Sequence, residues 1–161
     1  MPVVDVTQNL DALSLTIVAE FAAPVQRIWE LYADPRQLEQ VWGPPEYPAT
    51  FVDHDLTPGG RVTYYMTSPE GDRFFGYWEV GEVAPLQHFS FADGFADSEF
   101  RPNPDLPLSQ NSYSFAEHER GTRATYVSTY ASAEDMQQVL DMGMMEGATS
   151  AIDQIDTLLA A

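Results

Sequence analysis

The segment from Ala133 to Leu159 has the hydrophobic pattern of one long amphipathic helix. Ser132 stands where an N-cap is expected, and Glu134 and Asp135 follow in the first turn, where the helix dipole favours negative charge. The apolar residues recur at three- and four-residue spacing and form one stripe: Met136, Leu140, Gly143, Met144, Gly147, Ala151, Ile155 and Leu158. The pattern predicts a continuous helix that buries this stripe.

Three residues are unusual for a buried stripe. Gly143 and Gly147 each cost about 1 kcal/mol relative to alanine inside a helix. Either another backbone approaches closely at these glycines, or space is left beside the helix. Gln154 needs a hydrogen-bond partner if it is buried, so it either bonds a nearby backbone group or acts as a polar handle inside a pocket.

The pattern ahead of this helix predicts an antiparallel sheet, interrupted once by two short helices. Residues 1–11 show no regular alternation and are predicted to be a loose lead-in. Leu13–Phe21 alternates apolar and polar side chains, as a half-buried strand does. The short helices are predicted to begin after Pro24 and at Pro35, the second extending to Val41. Six further strands are predicted over residues 49–55, 61–67, 73–83, 87–91, 109–117 and 122–130.

Between Ala92 and Leu108 the regular pattern disappears, and three prolines predict a long, stiffened loop. Connections of this length inside a compact domain are often functional. Phe95 and Phe100 are apolar residues of this segment, and we expect them either to tuck against a pocket mouth or to anchor the loop. The loop is interpreted as a lid or as a contact surface for another protein.

Together these elements predict an α+β arrangement, in which a curved antiparallel sheet wraps around the C-terminal helix. We expect a single domain over residues 1–161. Where the sheet bends away from the helix, a hydrophobic cavity is expected. The residues predicted to line it and to bind a ligand are Trp42, Trp78, Phe89, Phe91, Tyr113, Phe115, Leu140, Gly143, Met144, Gly147 and Gln154.

The composition narrows the choice of partners. Seven arginines, no lysine and 25 acidic residues give a net charge of −18, which repels nucleic acid and anionic lipid. We therefore expect no nucleic-acid partner and no membrane partner, and either a monomer or a homodimer. The chain lacks cysteine, shows no signal-peptide pattern and contains no apolar stretch near the roughly 20 residues that span a bilayer, so a cytoplasmic location is predicted.

The sequence contains no recognisable catalytic or metal-binding motif. His54, His88 and His118 are not at metal-ligand spacing, and in Asp53-His54-Asp55 adjacent strand residues point to opposite faces. Nucleophile-elbow, phosphate-loop and dinucleotide fingerprints are missing too. We therefore predict no metal, no cofactor and no catalytic residue set.

Several motifs occur in an order that resembles the Hsp90-ATPase-activator-like branch of the START/Bet v 1 superfamily. They are Ala23-Pro24-Val25-Gln26-Arg27-Ile28-Trp29, Asp34-Pro35, Val41-Trp42-Gly43-Pro44, Pro58-Gly59-Gly60-Arg61, the strand that begins at Gly76, the Gly121-Thr122-Arg123 turn and the Met-Gly-Met-Met-Glu-Gly run of the last helix. The resemblance covers about Leu13 to Leu159. It implies the helix-grip fold with a hydrophobic cavity between sheet and C-terminal helix.

Three functions are compatible with this resemblance and with the residues. The first is non-enzymatic binding of a small hydrophobic or amphipathic molecule. The second is an enzyme of the polyketide cyclase or hydratase type, in which Gln154, Tyr113 or His88 would move protons. The third is a co-chaperone-like protein that uses its acidic surface to bind another protein.

Overall fold

The computed structural model describes residues 2–119 and 121–160. Within them, the strands are β1 Val3–Asn9, β2 Ser14–Phe21, β3 Ala49–His54, β4 Arg61–Thr67, β5 Arg73–Ala84, β6 His88–Ala96, β7 Ser109–His118 and β8 Gly121–Tyr130. The helices are α1 Val25–Ala33, α2 Pro35–Leu38, α3 Ala133–Asp141, α4 Met144–Asp153 and α5 Ile155–Leu159. The strands form one antiparallel sheet in the order β1-β2-β8-β7-β6-β5-β4-β3.

This architecture confirms the α+β class and the position of the seven predicted strands. The inner face of the sheet carries every second residue of each strand, because side chains alternate along a strand. In β2, for example, Leu15, Ile17, Ala19 and Phe21 are buried, whereas the residues between them are partly exposed. The helix at Pro35 also forms, but it ends at Leu38 rather than at Val41.

The prediction of a loose lead-in over residues 1–11 is wrong. Residues Val3–Asn9 form β1, which pairs antiparallel with β2 from Val3 opposite Ala19 to Asn9 opposite Ser14. β1 lies at the edge of the sheet and its side chains are almost all exposed. An edge strand that buries neither face has no reason to alternate apolar and polar residues, so periodicity could not reveal it.

The predicted C-terminal helix forms, but it is not continuous from Ala133 to Leu159. Gly143 has φ +81°, in the left-handed region, and separates α3 from α4. Glycine adopts this conformation without the penalty of a Cβ, and a left-handed residue ends a helix. A second irregularity at Gln154 separates α4 from α5. The break changes the phase of the buried face. Met136, Ala151 and Ile155 of the predicted stripe are buried, but Val139, Met145 and Ile152 are buried with them in place of the other stripe residues.

The N-terminal end of α3 has the cap that the sequence predicts. The Ser132 hydroxyl accepts a hydrogen bond from the Asp135 backbone N–H at 3.1 Å, and Glu134 and Asp135 occupy the first turn. This bond satisfies one of the free N–H groups at the helix start. It fixes where the chain leaves β8 and begins to cross the sheet.

The predicted loop between Ala92 and Leu108 is shorter than expected, because β6 continues to Ala96. Phe95 is therefore a strand residue. Phe100 anchors the remaining loop: its ring packs against Phe75 at 5.5 Å, and its carbonyl accepts a hydrogen bond from the Arg61 guanidinium.

Aromatic side chains from α1 and from the inner face of the sheet form the main core. Trp29 of α1 meets Phe89 and Phe115 edge-on, with ring centroids 5.8 and 6.1 Å apart. Trp78 stacks on Phe91 at 4.1 Å. Such pairs contribute about 0.5–1.5 kcal/mol each beyond the area they bury. This packing fills one end of the space under the sheet.

Candidate functional site

The other end of that space is a cavity of about 350 Å³ between the sheet and helices α3 and α4. Its walls are mainly apolar and aromatic. They are formed by Leu15, Ile17, Val41, Trp42, Pro44, Tyr64, Met66, Asp93, Phe95, Ser109, Asn111, Tyr113, Tyr126, Ser128, Tyr130, Val139, Met142, Met144, Met145, Gly147, Ala148, Ala151 and Ile152.

Small residues on α4 keep part of this space open. Gly147, Ala148 and Ala151 lie on the cavity side of the helix at three- and four-residue spacing. A Cβ placed on Gly147 would find no other heavy atom within 4 Å. No backbone approaches closely at this position, so the second interpretation of Gly147, space beside the helix, is the correct one. Gly143 instead serves the helix break.

A polar strip crosses the otherwise apolar wall. Asp93 of β6 lies opposite Ser109 of β7, and Ser109 lies opposite Tyr130 of β8. In the next inward row, Asn111 of β7 lies opposite Ser128 of β8. The register of three neighbouring strands therefore brings these residues together.

Asp93 is the one charged residue among the described residues that line the cavity. Its Oδ1 accepts a hydrogen bond from the Tyr64 hydroxyl at 2.8 Å. Burial raises the pKa of Asp93 from 3.8 to about 7, and the bond from Tyr64 opposes this rise by stabilising the charged form. The carboxyl group therefore changes its protonation near neutral pH.

Two tyrosine hydroxyls face the same region. Burial raises the pKa of Tyr113 well above its usual value, and the nearby Tyr32 and Asp93 raise it further. Burial and the Asp93 charge likewise raise the pKa of Tyr130. Both phenols stay protonated at physiological pH, so each can donate or accept a hydrogen bond. By contrast, the Tyr126 hydroxyl already bonds the Tyr32 hydroxyl at 2.7 Å.

A second depression lies on the outer side of α4. Met145, Glu146, Thr149, Ser150 and Asp153 line it, and it opens widely to solvent. Its walls come from one helix, and they do not enclose the two acidic side chains that line it. The cavity under the sheet is therefore the better candidate site.

The comparison with protein families decides what kind of protein this is. The family described as "Activator of Hsp90 ATPase homolog 1-like protein" matches residues 22–160. The chain belongs to this family. The structure has the helix-grip fold that the sequence resemblance implies.

Solved structures of other members of the fold resemble this AHSA1-like protein along nearly its whole length. The crystal structure of protein Ms6760 from Mycobacterium smegmatis has 68% identity and a TM-score of 0.92, covering 98% of this chain and 97% of that one. A solution structure of an Arthrobacter aurescens protein has 44% identity and a TM-score of 0.94, covering 98% and 91%. The AHSA1 protein of Silicibacter pomeroyi, at 24% identity and a TM-score of 0.74 over 91% and 97%, shows the fold alone. A comparison with curated proteins finds no match.

Four of the eleven residues predicted to bind a ligand line the cavity of the AHSA1-like protein: Trp42, Tyr113, Met144 and Gly147. The other seven lie outside the lining. Trp78, Phe89, Phe91 and Phe115 belong to the closed aromatic core, where each is at most 5% exposed. Their inward direction follows from strand alternation as predicted, but other rings cover them. Trp29 of α1 packs against Phe89 and Phe115. Trp42 packs against Trp78 and Phe91.

The remaining three predicted residues have structural roles. Gly143 ends α3, and Leu140 packs against the main core. The Gln154 amide donates a hydrogen bond to the Gly43 carbonyl at 2.7 Å. This bond joins the C-terminal helices to the turn after α2, so the backbone-bonding interpretation of Gln154 is the correct one.

Sequence reasoning missed Asp93 and Tyr64. Asp93 lies in the segment predicted to be a loop, and Tyr64 is not among the residues predicted to line the cavity. One signal was available: Phe89, Phe91, Asp93 and Phe95 recur at two-residue spacing, which places an acidic residue on the buried face of an extended β6. A carboxylate there requires either a partner or a cavity.

The histidines lie away from the cavity. His54 bonds the Tyr32 carbonyl through Nε2 at 3.0 Å, and His88 bonds the Ser112 hydroxyl at 3.0 Å. His118 lies beside Glu20 at 3.1 Å on the surface. In the part of the chain that the structure describes, no group of three or more acidic or histidine side chains could hold a metal ion, and no helix is long and apolar enough to cross a membrane.

Two glycine-to-alanine substitutions should have opposite effects. A Cβ on Gly76 would lie 2.5 Å from the end of the Tyr64 ring, which is held between Phe51 and Trp42 and cannot yield freely. Gly76→Ala should therefore lower the free energy of unfolding by about 1–3 kcal/mol. Gly147→Ala meets open space in a helix and should raise it by about 0.5–1 kcal/mol. Chemical denaturation of both variants measures the difference, and equal effects would contradict this description of the two sites.

Removal of the Tyr64 hydroxyl should change the titration of Asp93. The hydroxyl stabilises the ionised carboxylate through one hydrogen bond, so Tyr64→Phe should raise the pKa of Asp93 above its value of about 7. A hydrogen bond to a charged group is worth about 1.5 kcal/mol, which corresponds to about one pH unit. Carboxyl-carbon NMR across a pH series measures the midpoint. A midpoint that falls in the variant would show that Tyr64 does not donate to Asp93.

Proposed function

We propose that this AHSA1-like protein binds a small, mainly apolar molecule in the cavity between the sheet and α4. The observation that carries the proposal is the cavity itself, a partly open space of about 350 Å³ between the sheet and α4. This volume lies within the range of small-molecule sites. A domain selected only for stability would gain from filling it, because empty space beside apolar side chains costs free energy.

The composition of the wall supports the same function. Small-molecule sites are lined mainly by apolar and aromatic side chains, with a few polar groups that orient the ligand. Here Met144 and Met145 of α4 and Met142 just before this helix line the cavity together with aromatic residues of the sheet. Asp93, Tyr64 and Tyr130 supply polar atoms. Methionine side chains adapt readily to the shape of a ligand.

A titration with phenylalkyl compounds tests this function. We expect 4-phenylbutanol to bind with one site per chain by isothermal titration calorimetry and to raise the melting temperature progressively with concentration. A ligand that binds only the folded state adds about 2.7 kcal/mol of stability at 100 times its dissociation constant. If apolar compounds of graded length neither bind nor stabilise the protein, the proposal fails.

A second candidate function is supported by Asp93. A carboxyl group with a pKa of about 7 in a largely apolar cavity is suited to accept and return a proton, as a cyclase- or hydratase-type enzyme requires. Tyr64 would position this carboxyl group through its hydrogen bond.

The exchange of α-protons with deuterium in a model β-diketone tests the second function. The wild-type protein should accelerate exchange in benzoylacetone, and Asp93→Asn should reduce that acceleration by about 100-fold. Thr149→Ala, on the outer side of α4, serves as the control and should leave the rate unchanged. An exchange rate equal to the buffer rate would exclude proton transfer on this substrate class.

A further inference from the structure

No positively charged side chain among the described residues that line the cavity balances the Asp93 carboxylate. Asp93 has one carboxylate oxygen bonded to Tyr64, and no described residue donates a hydrogen bond to the other. The sequence contains no lysine, and among the described lining residues there is no arginine or histidine. A buried charge without an opposite charge is unfavourable, and a ligand that brings the opposite charge removes this penalty.

The described polar groups beside Asp93 include no cation that would hold an anion. The Asn111 amide nitrogen donates to the Ser109 hydroxyl at 3.0 Å, and the Asn111 carbonyl oxygen accepts from the Ser128 hydroxyl at 2.6 Å. The amide is therefore already engaged on both sides. Once Asp93 is ionised, a carboxylate or phosphate ligand would meet its negative charge without any cation in the described part of the wall to offset the repulsion.

The rest of the wall suits a cation. The ring faces of aromatic residues attract ammonium groups, most strongly where water is excluded. Five aromatic rings besides Phe95 surround the cavity, those of Trp42, Tyr64, Tyr113, Tyr126 and Tyr130. The net charge of −18 also raises the concentration of cations near the protein surface.

We infer that the ligand is a small apolar amine, whose protonated amino group pairs with Asp93 while its hydrocarbon part fills the space beside Gly147. This inference rests on the proposed binding function and specifies its ligand class. The unpaired carboxylate oxygen would accept from the amino group, and the tyrosines that line the cavity would surround it. The methionines and small residues of α4 contact the apolar part.

Three probes with the same skeleton test the charge preference: 4-phenylbutylamine, 4-phenylbutanol and 4-phenylbutyrate. At pH 8 the amine should bind about 10-fold more tightly than the alcohol, and the acid should bind most weakly. Asp93→Asn keeps an acceptor for the Tyr64 hydroxyl but removes the charge, so it should abolish the preference for the amine while the alcohol still binds.

A second measurement on the wild-type protein does not depend on the folding of a variant. Free Asp93 is largely protonated at pH 6, whereas the amine requires its ionised form. Tyr64, Tyr113 and Tyr130 face Asp93 from β4, β7 and β8, and all three remain protonated at this pH. Calorimetry in two buffers with different ionisation enthalpies should therefore show release of about one proton with the amine and none with the alcohol.

The outcomes separate this inference from the proposed function. If the alcohol binds as tightly as the amine, or if amine binding releases no proton, the ligand class is wrong although the cavity binds ligands. If the acid binds most tightly, the ligand class is also wrong. If none of the three probes binds, the proposed function and the inference both fail.

Discussion

The free energy of unfolding of Asp93→Asn should increase relative to that of the wild-type protein as the pH rises from 4 to 8. The pKa of Asp93 is 3.8 in the unfolded chain and about 7 in the folded protein. Between these values the folded protein holds a proton that the unfolded chain has released, so the wild-type free energy of unfolding falls as the pH rises. Above pH 7 Asp93 is ionised in both states, and the full free-energy cost of its charge in the folded protein is present.

The difference between 3.8 and about 7 corresponds to about 4 kcal/mol, which is an upper bound because a cavity carboxylate gains some hydration. Asparagine does not ionise, so the variant lacks this cost. Urea denaturation of both proteins at intervals between pH 4 and 8 measures the difference. Asp105→Asn, in the exposed loop, controls for the change in net charge. A difference that stays flat or falls with rising pH would show that the pKa of Asp93 is not raised in the folded protein.

Filling the cavity from α4 should abolish ligand binding while the fold is retained. Gly147→Phe places an aromatic side chain where the structure has no heavy atom within 4 Å of the new Cβ. The ring should occupy ligand space rather than displace a packed neighbour, and the helix interior loses a glycine. We expect affinity for 4-phenylbutanol to fall by about 100-fold, or 2.7 kcal/mol, with the free energy of unfolding equal to or above that of the wild-type protein.

Two matched variants make this experiment decisive. Gly147→Ala changes the same backbone position but adds little volume, so it should bind nearly as well as the wild-type protein. Thr149→Phe adds the same ring on the outer side of α4, beside the open depression, and should not affect binding. If Gly147→Phe binds the probe normally, or if Thr149→Phe loses binding, the ligand site does not lie under the sheet.

The sequence predicted the sheet well because burial imposes a period on each strand. β2, β4, β5, β7 and β8 each have an inner face, and alternation identifies such strands even without an alignment. β1 has no buried face, so the same reasoning had no signal to use. The end of β6 was missed for a different reason, because the polar residue Asp93 interrupts an otherwise apolar face.

The helix break shows where a periodic argument fails. Gly143 was interpreted as part of a continuous stripe, but a single left-handed residue shifts the phase of everything after it. A helical wheel assumes constant phase, so it placed Met144 correctly by the cavity but omitted Met145 and Ile152 from the buried face. The two glycines have different roles, and only their backbone conformations distinguish them.

The cavity lining could be predicted only in part, because inward direction does not determine what covers a side chain. Phe89 and Tyr113 both point into the space under the sheet, yet Trp29 of α1 covers Phe89 while Tyr113 borders the cavity. Whether an inward-facing residue is covered or borders the cavity depends on where α1 and α4 lie across the sheet. It is a property of tertiary packing, which the pattern of one strand does not contain.

The most direct test of the central claim is the position of a bound probe. Intermolecular NOEs between 4-phenylbutanol and the protein should connect the probe to the Met144 methyl group and to the ring protons of Tyr113, on opposite walls of the cavity. NOEs confined to Glu146, Thr149 and Ser150, on the outer side of α4, would contradict the claim that the space under the sheet is the ligand site.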